Sequence, residues 1–451
     1  MKILLVNPTK LDEQGKPVKF KKDITPSLAL AVLSSLTPAS HKVTVINDVI
    51  EEIDYSIPYD LVGITAMTSR VERAYQIADR FRSIGVRVVL GGIHATALPD
   101  EAKVHADAVI IGEAENIWEQ VLDDFEHNRN KEYYQDSALP DMKRLIIPRF
   151  DTFNMNIYNR PIGYKLPIMP IYSTRGCPFA CDFCSVSKYF GRTYRVKPIA
   201  NILKEIDAIG AEHFMFVDDN IAGNAEYSRE LFRALIPKKI KWNSQVSTTI
   251  MNHPDLIDLA AESGCRLLFF GLESLNNDIL QSLNKGFNKL AQYAELFERL
   301  KRAKIVPLIS MIFGFDTDTI EQFNYTLSFL LKNKIDTSFF FILTPLPGTT
   351  LYSKLEEEGR IISRDWSAYD GQHIVFQPKN FTIEELYHNY WRVFRQFYSV
   401  RNITARSFNR IRQSNTPLKT FYYSTINELF YRNKVYRYEH PISGGFGKIK
   451  T

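Results

Sequence analysis

Short β-rich runs alternate with helical stretches along most of this chain, in two separate series. The runs of the first series are KILLVN at Lys2, KVTVIN near Val43, LVGIT at Leu61, VRVVLGG at Val86 and DAVIIG at Asp107. Apolar residues recur at helical spacing between them. Residues 1–125 are therefore predicted to form an open, doubly wound (Rossmann-like) α/β domain, which binds ligands at the carboxyl ends of its strands.

The second series follows a predicted linker over residues 126–166, which is polar at first and then rich in proline. Six further β-rich runs occupy residues 167–350. They are IMPIYST at Ile168, HFMFVDD at His213, IKWNSQVS at Ile240, CRLLFFGLES at Cys265, IVPLISMIFGF at Ile305 and TSFFFILTP at Thr337. Six βα units predict a partial (β/α)6 barrel of the TIM type, with its chemistry at the C-terminal strand ends.

Residues 351–451 lack this alternation and are predicted to be mainly helical. From Phe381 to Thr451 there are twelve Lys and Arg against four Glu, so this tail holds the basic character of a chain whose net charge is +5. The residues before it sum to about −3. Because the charge is confined to the tail, it is a poor indication of nucleic-acid binding.

The sequence shows neither a signal peptide nor a membrane span, and a cytoplasmic protein is predicted. The apolar run at the start is far shorter than the core of a signal peptide, and no later run approaches the length of a membrane span. Of the four cysteines, three fall within eight positions, which does not resemble a disulfide framework. A metal or redox cofactor is the better interpretation.

The most specific motif is RGCPFACDFCSVSKYFGR, which places Cys177, Cys181 and Cys184 just after the first barrel strand. Three thiolates can each bind one iron of a [4Fe-4S] cluster, so that the fourth iron keeps an open position. The alternatives are inert buried thiols or structural zinc, which requires four tetrahedral ligands. The sequence offers no fourth ligand nearby, since Cys265 lies about eighty residues further on.

This motif and its position in a six-unit βα series resemble the radical S-adenosylmethionine (SAM) superfamily, over roughly Ile168 to Pro347. The resemblance implies that the open iron binds the amino and carboxylate groups of SAM. Electron transfer then cleaves SAM to a 5′-deoxyadenosyl radical. By position, Phe183 would pack near the adenine. The VDDN string would place Asp218, Asp219 and Asn220 at the amino group of SAM, although it departs from the commoner Gly-Gly-Glu form.

The fourth and fifth barrel strands end in further acidic strings. The resemblance places Glu273 and Ser274 of GLES near the ribose of SAM. An alternative for these strand-end acids is a solvated side chain or a helix cap. For Asp316 and Asp318 of GFDTDT, the two interpretations are capping and catalysis.

The first domain resembles the cobalamin-binding class of this superfamily in three strings: TAMTSR, GGIHATALPDEA and IIGEAE. Hydroxyl groups at a helix N-terminus suit phosphate or amide groups, and glycines let the backbone approach a bulky ligand. The candidate cobalamin residues are Thr65, Thr68, Ser69, Gly91, Gly92, Gly112, Glu113 and Glu115.

An axial histidine ligand is not predicted for this domain. The Asp-x-His-x-x-Gly string of many methyl-transferring cobalamin proteins is absent, and His94 in GGIHAT is expected to bond the backbone of its own loop. Bound cobalamin would then lack a histidine ligand. A degenerate domain that binds no cobalamin is the alternative, because similar turns occur in doubly wound folds with other ligands.

Together, these resemblances imply a cobalamin-dependent radical SAM methyltransferase that acts on an unactivated carbon of a small-molecule or lipid substrate. A second SAM would remethylate the cobalamin, and a flavodoxin- or ferredoxin-type protein would supply electrons. One alternative is radical cyclisation, ring contraction or rearrangement on the same architecture. Less favoured are a methylthiotransferase acting on transfer RNA, which would need a second cysteine set, and a non-enzymatic iron-sulfur scaffold.

The DWSAYDG string and the basic tail resemble the C-terminal region of cobalamin-type radical SAM proteins that act on lipids and tetrapyrroles. One hypothesis is a helical lid over the open side of the barrel, with its arginines in water. The other is peripheral contact with an anionic membrane surface through Arg392, Arg395, Arg401, Arg406 and nearby aromatic residues.

Overall fold

The computed structural model describes residues 1–158, 167–411, 417–441 and 446–448. The strands of its first part are β1 (Lys2–Asn7), β2 (Phe20–Lys22), β3 (Lys42–Asn47), β4 (Leu61–Thr65), β5 (Arg87–Gly91), β6 (Ala108–Ile111) and β7 (Tyr133–Gln135). The helices are α1 (Leu28–Leu36), α2 (Val71–Ser83), α3 (Ile93–Ala97), α4 (Pro99–Val104) and α5 (Trp118–Glu126). Six strands form one sheet in the order β3-β1-β4-β5-β6-β7, and every pair is parallel. The predicted doubly wound domain is confirmed.

Strand β7 falls inside the segment that the sequence predicts to be a linker. It pairs with β6 through Val109 and Tyr133 and through Ile110 and Tyr134. Tyr134 is buried, and its hydroxyl donates to Asp124 at 3.0 Å. A three-residue edge strand with one buried side chain carries almost no periodic signal, which is why the polar sequence around it predicts a linker. Residues 159–166 of the predicted linker lie outside the described ranges.

The second part of the chain forms the partial barrel. Its strands are β8 (Met169–Ile171), β9 (Thr174–Arg175), β10 (Arg195–Val196), β11 (His213–Phe216), β12 (Lys241–Val246), β13 (Cys265–Glu273), β14 (Val306–Phe313) and β15 (Thr337–Ile342). The helices are α6 (Val186–Tyr189), α7 (Ile199–Ile209), α8 (Ala225–Leu235), α9 (Asp255–Glu262), α10 (Asn277–Ser282), α11 (Tyr293–Arg302) and α12 (Ile320–Lys332). Six parallel strands follow the order β15-β14-β13-β12-β11-β8, which confirms the six-unit series. The remaining pair, β9 and β10, is antiparallel.

Large apolar side chains hold this barrel together. The strands and the helices that cover them contribute to one buried apolar cluster. Phe214 of β11, Phe270 of β13 and Ile309 of β14 are fully buried. Burying one such side chain stabilises the fold by about 1.5–3 kcal/mol. The covering helices start at local signals, as at Asn224, whose side chain accepts the backbone N–H of Tyr227 at the start of α8.

The C-terminal region covers the β15 edge of the barrel. Its elements are α13 (Thr350–Glu357), α14 (Ile383–Phe397), α15 (Val400–Ile411), α16 (Pro417–Val435) and β16 (Phe446–Lys448), which pairs antiparallel with β2. Thr382 and Glu385 form a capping box that starts α14. The hydroxyls of Tyr390 and Tyr398 then donate to the carbonyls of Phe340 and Ser338, at 3.1 and 3.0 Å. The helical lid is therefore present.

The arginines of this lid do not all face water. Arg406 is 3% exposed and forms a buried ion pair with Glu428, at 2.5 Å, whereas Arg401 is exposed. Arg406 is thus wrongly predicted as a solvent- or membrane-facing charge, because its partner lies on the next helix and leaves no local pattern. Across the described ranges, no helix is both long and apolar enough to cross a membrane.

The acidic string after β14 has a structural role. Asp318 is 1% exposed, and its Oδ2 atom accepts the backbone N–H groups of Gly314 and Phe315 at 2.9 and 3.0 Å. Asp316 pairs with Arg360 and Lys379 on the C-terminal region. Of the two interpretations of this string, the structure favours capping of the turn over catalysis.

Replacing Asp318 with Asn should flatten the pH dependence of stability. Burial raises the pKa of Asp318 to about 7, whereas an unfolded Asp titrates near ~3.9. The folded chain therefore holds a proton that the unfolded chain has lost. Because of this group, the free energy of unfolding falls by about 1.4 kcal/mol per pH unit as the pH rises between the two pKa values.

Asp318→Asn keeps an oxygen acceptor and cannot titrate. Its melting temperature relative to the parent protein should rise between about pH 5 and about pH 7 and then level off. Differential scanning calorimetry measures this, with the exposed Asp258→Asn as the control. A difference that is constant across the pH range would contradict the assignment.

Candidate functional site

A loop of residues 176–194, here called the cluster loop, connects β9 to β10 and carries all three clustered cysteines. Arg175 and Arg195 are paired neighbours at its two ends. Gly176 has a φ of +82°, and a Cβ atom there would lie 2.2 Å from the carbonyl oxygen of Thr193. Only glycine permits this close approach, so the glycine of the RGC string closes the loop.

The three thiols lie close together and are partly buried. Burial raises the pKa of Cys177 and of Cys184, and it raises the pKa of Cys181 to about 12. Neighbouring thiolates add to the rise in the pKa of Cys181 and of Cys184. Cys265 is remote from them, buried in β13. Within the described ranges, no three His, Cys, Asp or Glu side chains converge on a position for one metal ion. Three thiolates can each bind one iron of a cluster, whereas a tetrahedral zinc ion needs a fourth ligand.

The VDDN string after β11 fastens the start of the cluster loop. Asp218 is fully buried and accepts the hydroxyls of Ser173 and Thr174, both at 2.6 Å, as well as the backbone N–H of Ser173. Oδ2 of Asp219 accepts the backbone N–H of Gly176 at 3.1 Å. The sequence predicts both carboxylates at the amino group of SAM. The carboxylate of Asp218, however, already accepts hydrogen bonds from Ser173 and Thr174.

Asn220 fastens the other end of the loop. Its backbone carbonyl accepts the hydroxyl of Tyr194 at 2.9 Å, and its side chain bonds the backbone and hydroxyl of Ser247. It is 1% exposed. Asn220 is therefore placed to support the loop, and Asp219 is the member of the string that lines a cavity.

Lys285 is a site residue that the sequence analysis missed. Its ammonium lies 2.6 Å from Glu273 and 5.6 Å from the ring centre of Phe183, and its charge partly offsets the burial-driven rise in the pKa of the three cysteines. Glu273, at a φ of +65°, also accepts the hydroxyl of Ser310 at 3.0 Å. The carboxylate predicted to contact ribose is thus occupied by Lys285. No motif marks this lysine, which follows α10 in the string LNKGFN.

Ser274 takes a local role beside Glu273. It is 2% exposed, and its hydroxyl accepts the backbone N–H of Asn276 at 3.2 Å. Asn276 in turn caps α10. The hydroxyl of Ser274, predicted to contact ribose, thus has a backbone partner in its own turn.

A first cavity of about 380 Å³ lies where the carboxyl edge of the first sheet faces the barrel. It is lined by six of the predicted cobalamin residues, Thr65, Gly91, Gly92, Gly112, Glu113 and Glu115. From the barrel side it is lined by Tyr172, Arg175, Tyr189 and Asp219. A Cβ atom on Gly92 would lie 2.8 Å from the hydroxyl of Thr65, so only glycine fits at this position of the cavity wall.

The inner end of this cavity is apolar. Leu30 and Leu33 of α1, Val89 of β5 and Trp118 of α5 form its walls. Glycines in one part of the wall and apolar side chains in another suit a flat macrocycle with an appended aromatic group. The residues present therefore fit cobalamin.

Glu113 and Glu115 have protein partners within this cavity. Glu113 accepts hydrogen bonds from both Arg175 and Arg195, and Glu115 accepts one from Arg175. The hydroxyl of Tyr189 donates to the carbonyl of Gly112 at 3.1 Å. The two carboxylates predicted to contact cobalamin thus join the first domain to the cluster loop.

A second cavity of about 290 Å³ adjoins the first and shares Met67 and Ile93 with it. The sequence predicts Thr68 and Ser69 at the cobalamin site, but the structure places them here, together with Phe183. The remaining walls are Ser185, the ends of β14 and β15, residues 343–346 after β15, and residues 369–371. This cavity therefore lies between the first domain, the cluster loop and the C-terminal region.

His94 is turned away from both cavities. It is fully buried, its Nε2 lies 3.1 Å from Oε1 of Glu101, and its ring packs 5.1 Å from that of Trp366. Trp366, from the DWSAYDG string, also donates to Glu101. The ring of His94 is thus paired with a side chain, whereas the sequence predicts a bond to the backbone of its own loop.

A partial barrel that carries three cluster cysteines, facing a doubly wound domain with a cavity for a macrocycle, defines the class of two-cofactor radical enzymes. Family models agree: the radical SAM superfamily matches residues 171–330, and the B12 binding domain matches residues 19–122. A domain of unknown function (DUF4070) matches residues 349–430.

Two methyltransferases of Chlorobaculum tepidum are similar to the chain over most of their length. Bacteriochlorophyllide d C-12(1)-methyltransferase is 36% identical over 355 residues, which cover 77% of this chain and 76% of the relative. The C-8(2)-methyltransferase is 34% identical over 367 residues, covering 78% and 81%. The chain belongs to the cobalamin-dependent radical SAM methyltransferases. It is an enzyme whose cofactors are a [4Fe-4S] cluster, SAM and cobalamin.

Solved structures share the fold at low identity. The cobalamin-dependent SAM radical enzyme OxsB aligns with a TM-score of 0.68 at 14% identity, over 97% of this chain and 72% of that one. The methyltransferase TsrM from Kitasatospora setae aligns with a TM-score of 0.63 at 18% identity, over 79% and 75%. Both alignments span the two domains described above.

Removing any one cluster cysteine should abolish the cluster. Anaerobically reconstituted protein should hold about four iron atoms per chain, and Cys177→Ala, Cys181→Ala and Cys184→Ala should each lose most of that iron, because three thiolates are the minimum that anchors the cube. Iron analysis and the absorption spectrum measure this. Cys265→Ala, at the buried cysteine of β13, is the matched control and should keep its iron. Retention of full iron in any of the three variants would contradict the assignment.

Proposed function

We propose that the methyl acceptor of this enzyme binds in the second cavity and is a largely apolar ring-system molecule of the tetrapyrrole kind. The observation that carries the proposal is the shared wall of Met67 and Ile93. A molecule in the second cavity would lie against the cobalamin-binding cavity on one side. On another side it would meet the cluster loop at Phe183. Both reaction partners of the acceptor carbon would therefore be within reach.

The residues of the site divide between cofactor contact and support. When bound, the cluster supplies the electron that cleaves SAM, and cobalamin supplies the methyl group. Cys177, Cys181 and Cys184 would hold three irons. Asp219, which lines the first cavity, and Lys285, beside the cysteines, supply a negative and a positive charge for the amino and carboxylate groups of SAM.

The aromatic ring of Phe183 is suited to pack against adenine, while Asp218 and Glu273 act through other residues. Asp218 holds the start of the cluster loop, and Glu273 holds Lys285. Burial of these groups excludes water from the site, which protects a reactive radical. The protein's contribution is thus orientation and exclusion of solvent.

The substrate class rests on the wall chemistry and on the relatives. The second cavity is lined mainly by apolar side chains. Its polar groups are the hydroxyls of Thr68, Ser69, Ser185, Thr344 and Tyr369 and the carboxylate of Asp370. Its volume of about 290 Å³ suits one substituted edge of a large ring system, so that the rest of the molecule would extend outward. Both relatives from Chlorobaculum tepidum are named for methylation of bacteriochlorophyllide d.

Radical cyclisation without methyl transfer is the second candidate. The anaerobic magnesium-protoporphyrin IX monomethyl ester cyclase of Cereibacter sphaeroides is 27% identical over 373 residues, covering 75% of this chain and 60% of that protein. Methyl transfer is favoured because the relatives from Chlorobaculum tepidum, at 36% and 34% identity, are both named as methyltransferases.

The two reactions differ in their products. Methyl transfer to an unactivated carbon should yield S-adenosylhomocysteine and 5′-deoxyadenosine in about equal amounts per methylated product, since one SAM supplies the methyl group and another the radical. Mass spectrometry of an anaerobic reaction with bacteriochlorophyllide d, SAM and a chemical reductant measures both. Formation of 5′-deoxyadenosine with a changed substrate and no S-adenosylhomocysteine would favour cyclisation.

Filling the second cavity should block the acceptor without removing the cofactors. Thr344→Phe places a ring into this cavity, and kcat/KM for the acceptor should fall by about 10-fold or more. Iron and cobalamin contents should stay at the parent level. Thr350→Phe, at an exposed position on α13, is the control and should be unaffected. Unchanged kinetics in Thr344→Phe would place the acceptor elsewhere.

Two partner proposals stay predictions. One is a flavodoxin- or ferredoxin-type reductant in a cytoplasmic setting. The other is peripheral membrane contact, for which the exposed side chains of Val400 and Arg401 on α15 are the support.

A further inference from the structure

Four charged side chains join the cobalamin-binding domain to the cluster loop. Arg175 and Arg195 are cross-strand neighbours that bracket residues 176–194. Both donate to Glu113, and Arg175 also donates to Glu115. One short segment of the first domain therefore binds both ends of the loop that carries the three cysteines. These four residues are here called the interdomain clamp.

The clamp is buried and balanced in charge. The side chains of Glu113 and Glu115 are 4% and 11% exposed, and those of Arg175 and Arg195 are 13% and 15% exposed. Two positive groups meet two negative ones. Removing one partner of such a group leaves an uncompensated charge away from water, which costs far more than losing an exposed ion pair.

The clamp also borders the first cavity. Glu113, Glu115 and Arg175 lie in its wall, next to Tyr189, which bonds Gly112. A cofactor in that cavity would therefore rest on the residues that fix the cluster loop. The spacing between the two cofactor sites depends on this contact, because the peptide connection between the domains is long.

We propose that Glu113 and Glu115 are positioning residues that fix the cluster loop to the cobalamin-binding domain, and not ligands of cobalamin. Their consequence rests on the proposed function: they hold the radical source and the methyl source at one spacing. Without them, SAM cleavage continues but the substrate radical is methylated less often. Loss of the clamp thus uncouples the two uses of SAM.

The first test measures the contact itself and requires no activity. Hydrogen-deuterium exchange of the reconstituted holoenzyme should show that amides in residues 108–117 and 186–197 exchange about 10-fold faster in Glu113→Gln and in the double variant Glu113→Gln/Glu115→Gln. Glu295→Gln, which breaks an exposed ion pair with Arg299 on α11, is the control and should show no change. Thermal unfolding verifies that each variant is folded.

A compensating variant separates charge balance from simple damage. Arg195→Gln combined with Glu113→Gln removes one charge of each sign and restores neutrality. Exchange in the two segments should return toward the parent rate, by about 3-fold or more relative to Glu113→Gln alone. Exchange as fast as in the single variant would overturn the proposal.

The second test measures coupling. The ratio of 5′-deoxyadenosine to S-adenosylhomocysteine should rise by about 10-fold in the glutamate variants at unchanged iron and cobalamin contents. A fall in cobalamin content with parent-like exchange would identify the carboxylates as cobalamin ligands and overturn the proposal. An unchanged ratio would also overturn it. If the parent enzyme itself forms no S-adenosylhomocysteine, the proposed methyl transfer fails, while the exchange measurements still decide the clamp.

Discussion

The carboxylate of Asp218 is the interaction on which the arrangement of the site depends. It is fully buried and bonds the hydroxyl groups of Ser173 and Thr174, which immediately precede the cluster loop. A buried carboxylate without these partners would cost several kcal/mol. Separating the end of β11 from the start of the loop would therefore cost a large free energy. The positions of the three cysteines depend on this neighbouring strand as well as on their own segment.

The two domains face each other with the same kind of edge. Parallel strands end together, so each sheet presents a row of loops at its carboxyl edge, and here the two rows meet. One cavity forms within this junction and a second forms beside it, with Met67 and Ile93 between them. The site is thus a property of the contact between the domains, and neither domain contains it alone.

Sequence patterns predicted the parts of this protein that depend on local order. Period and alternation predicted the strands of both sheets except β7, and the spacing of Cys177, Cys181 and Cys184 predicted the cluster chemistry. What they could not give are pairings between distant positions. Glu113 meets Arg175 sixty-two residues later, and Glu273 meets a lysine without a motif. A carboxylate at a strand end has the same local sequence whether it binds a ligand or another side chain.

The packing of Trp366 has a consequence for how the protein is made. Its indole lies in the hydrophobic core of the first domain, where it contacts His94 and Glu101. The ribosome produces that domain long before residue 366 emerges, so the nascent domain must wait with a gap in its core. The core of the first domain is complete only once the DWSAYDG segment has been synthesised and packed. Its maturation is therefore set by a late segment of the polypeptide.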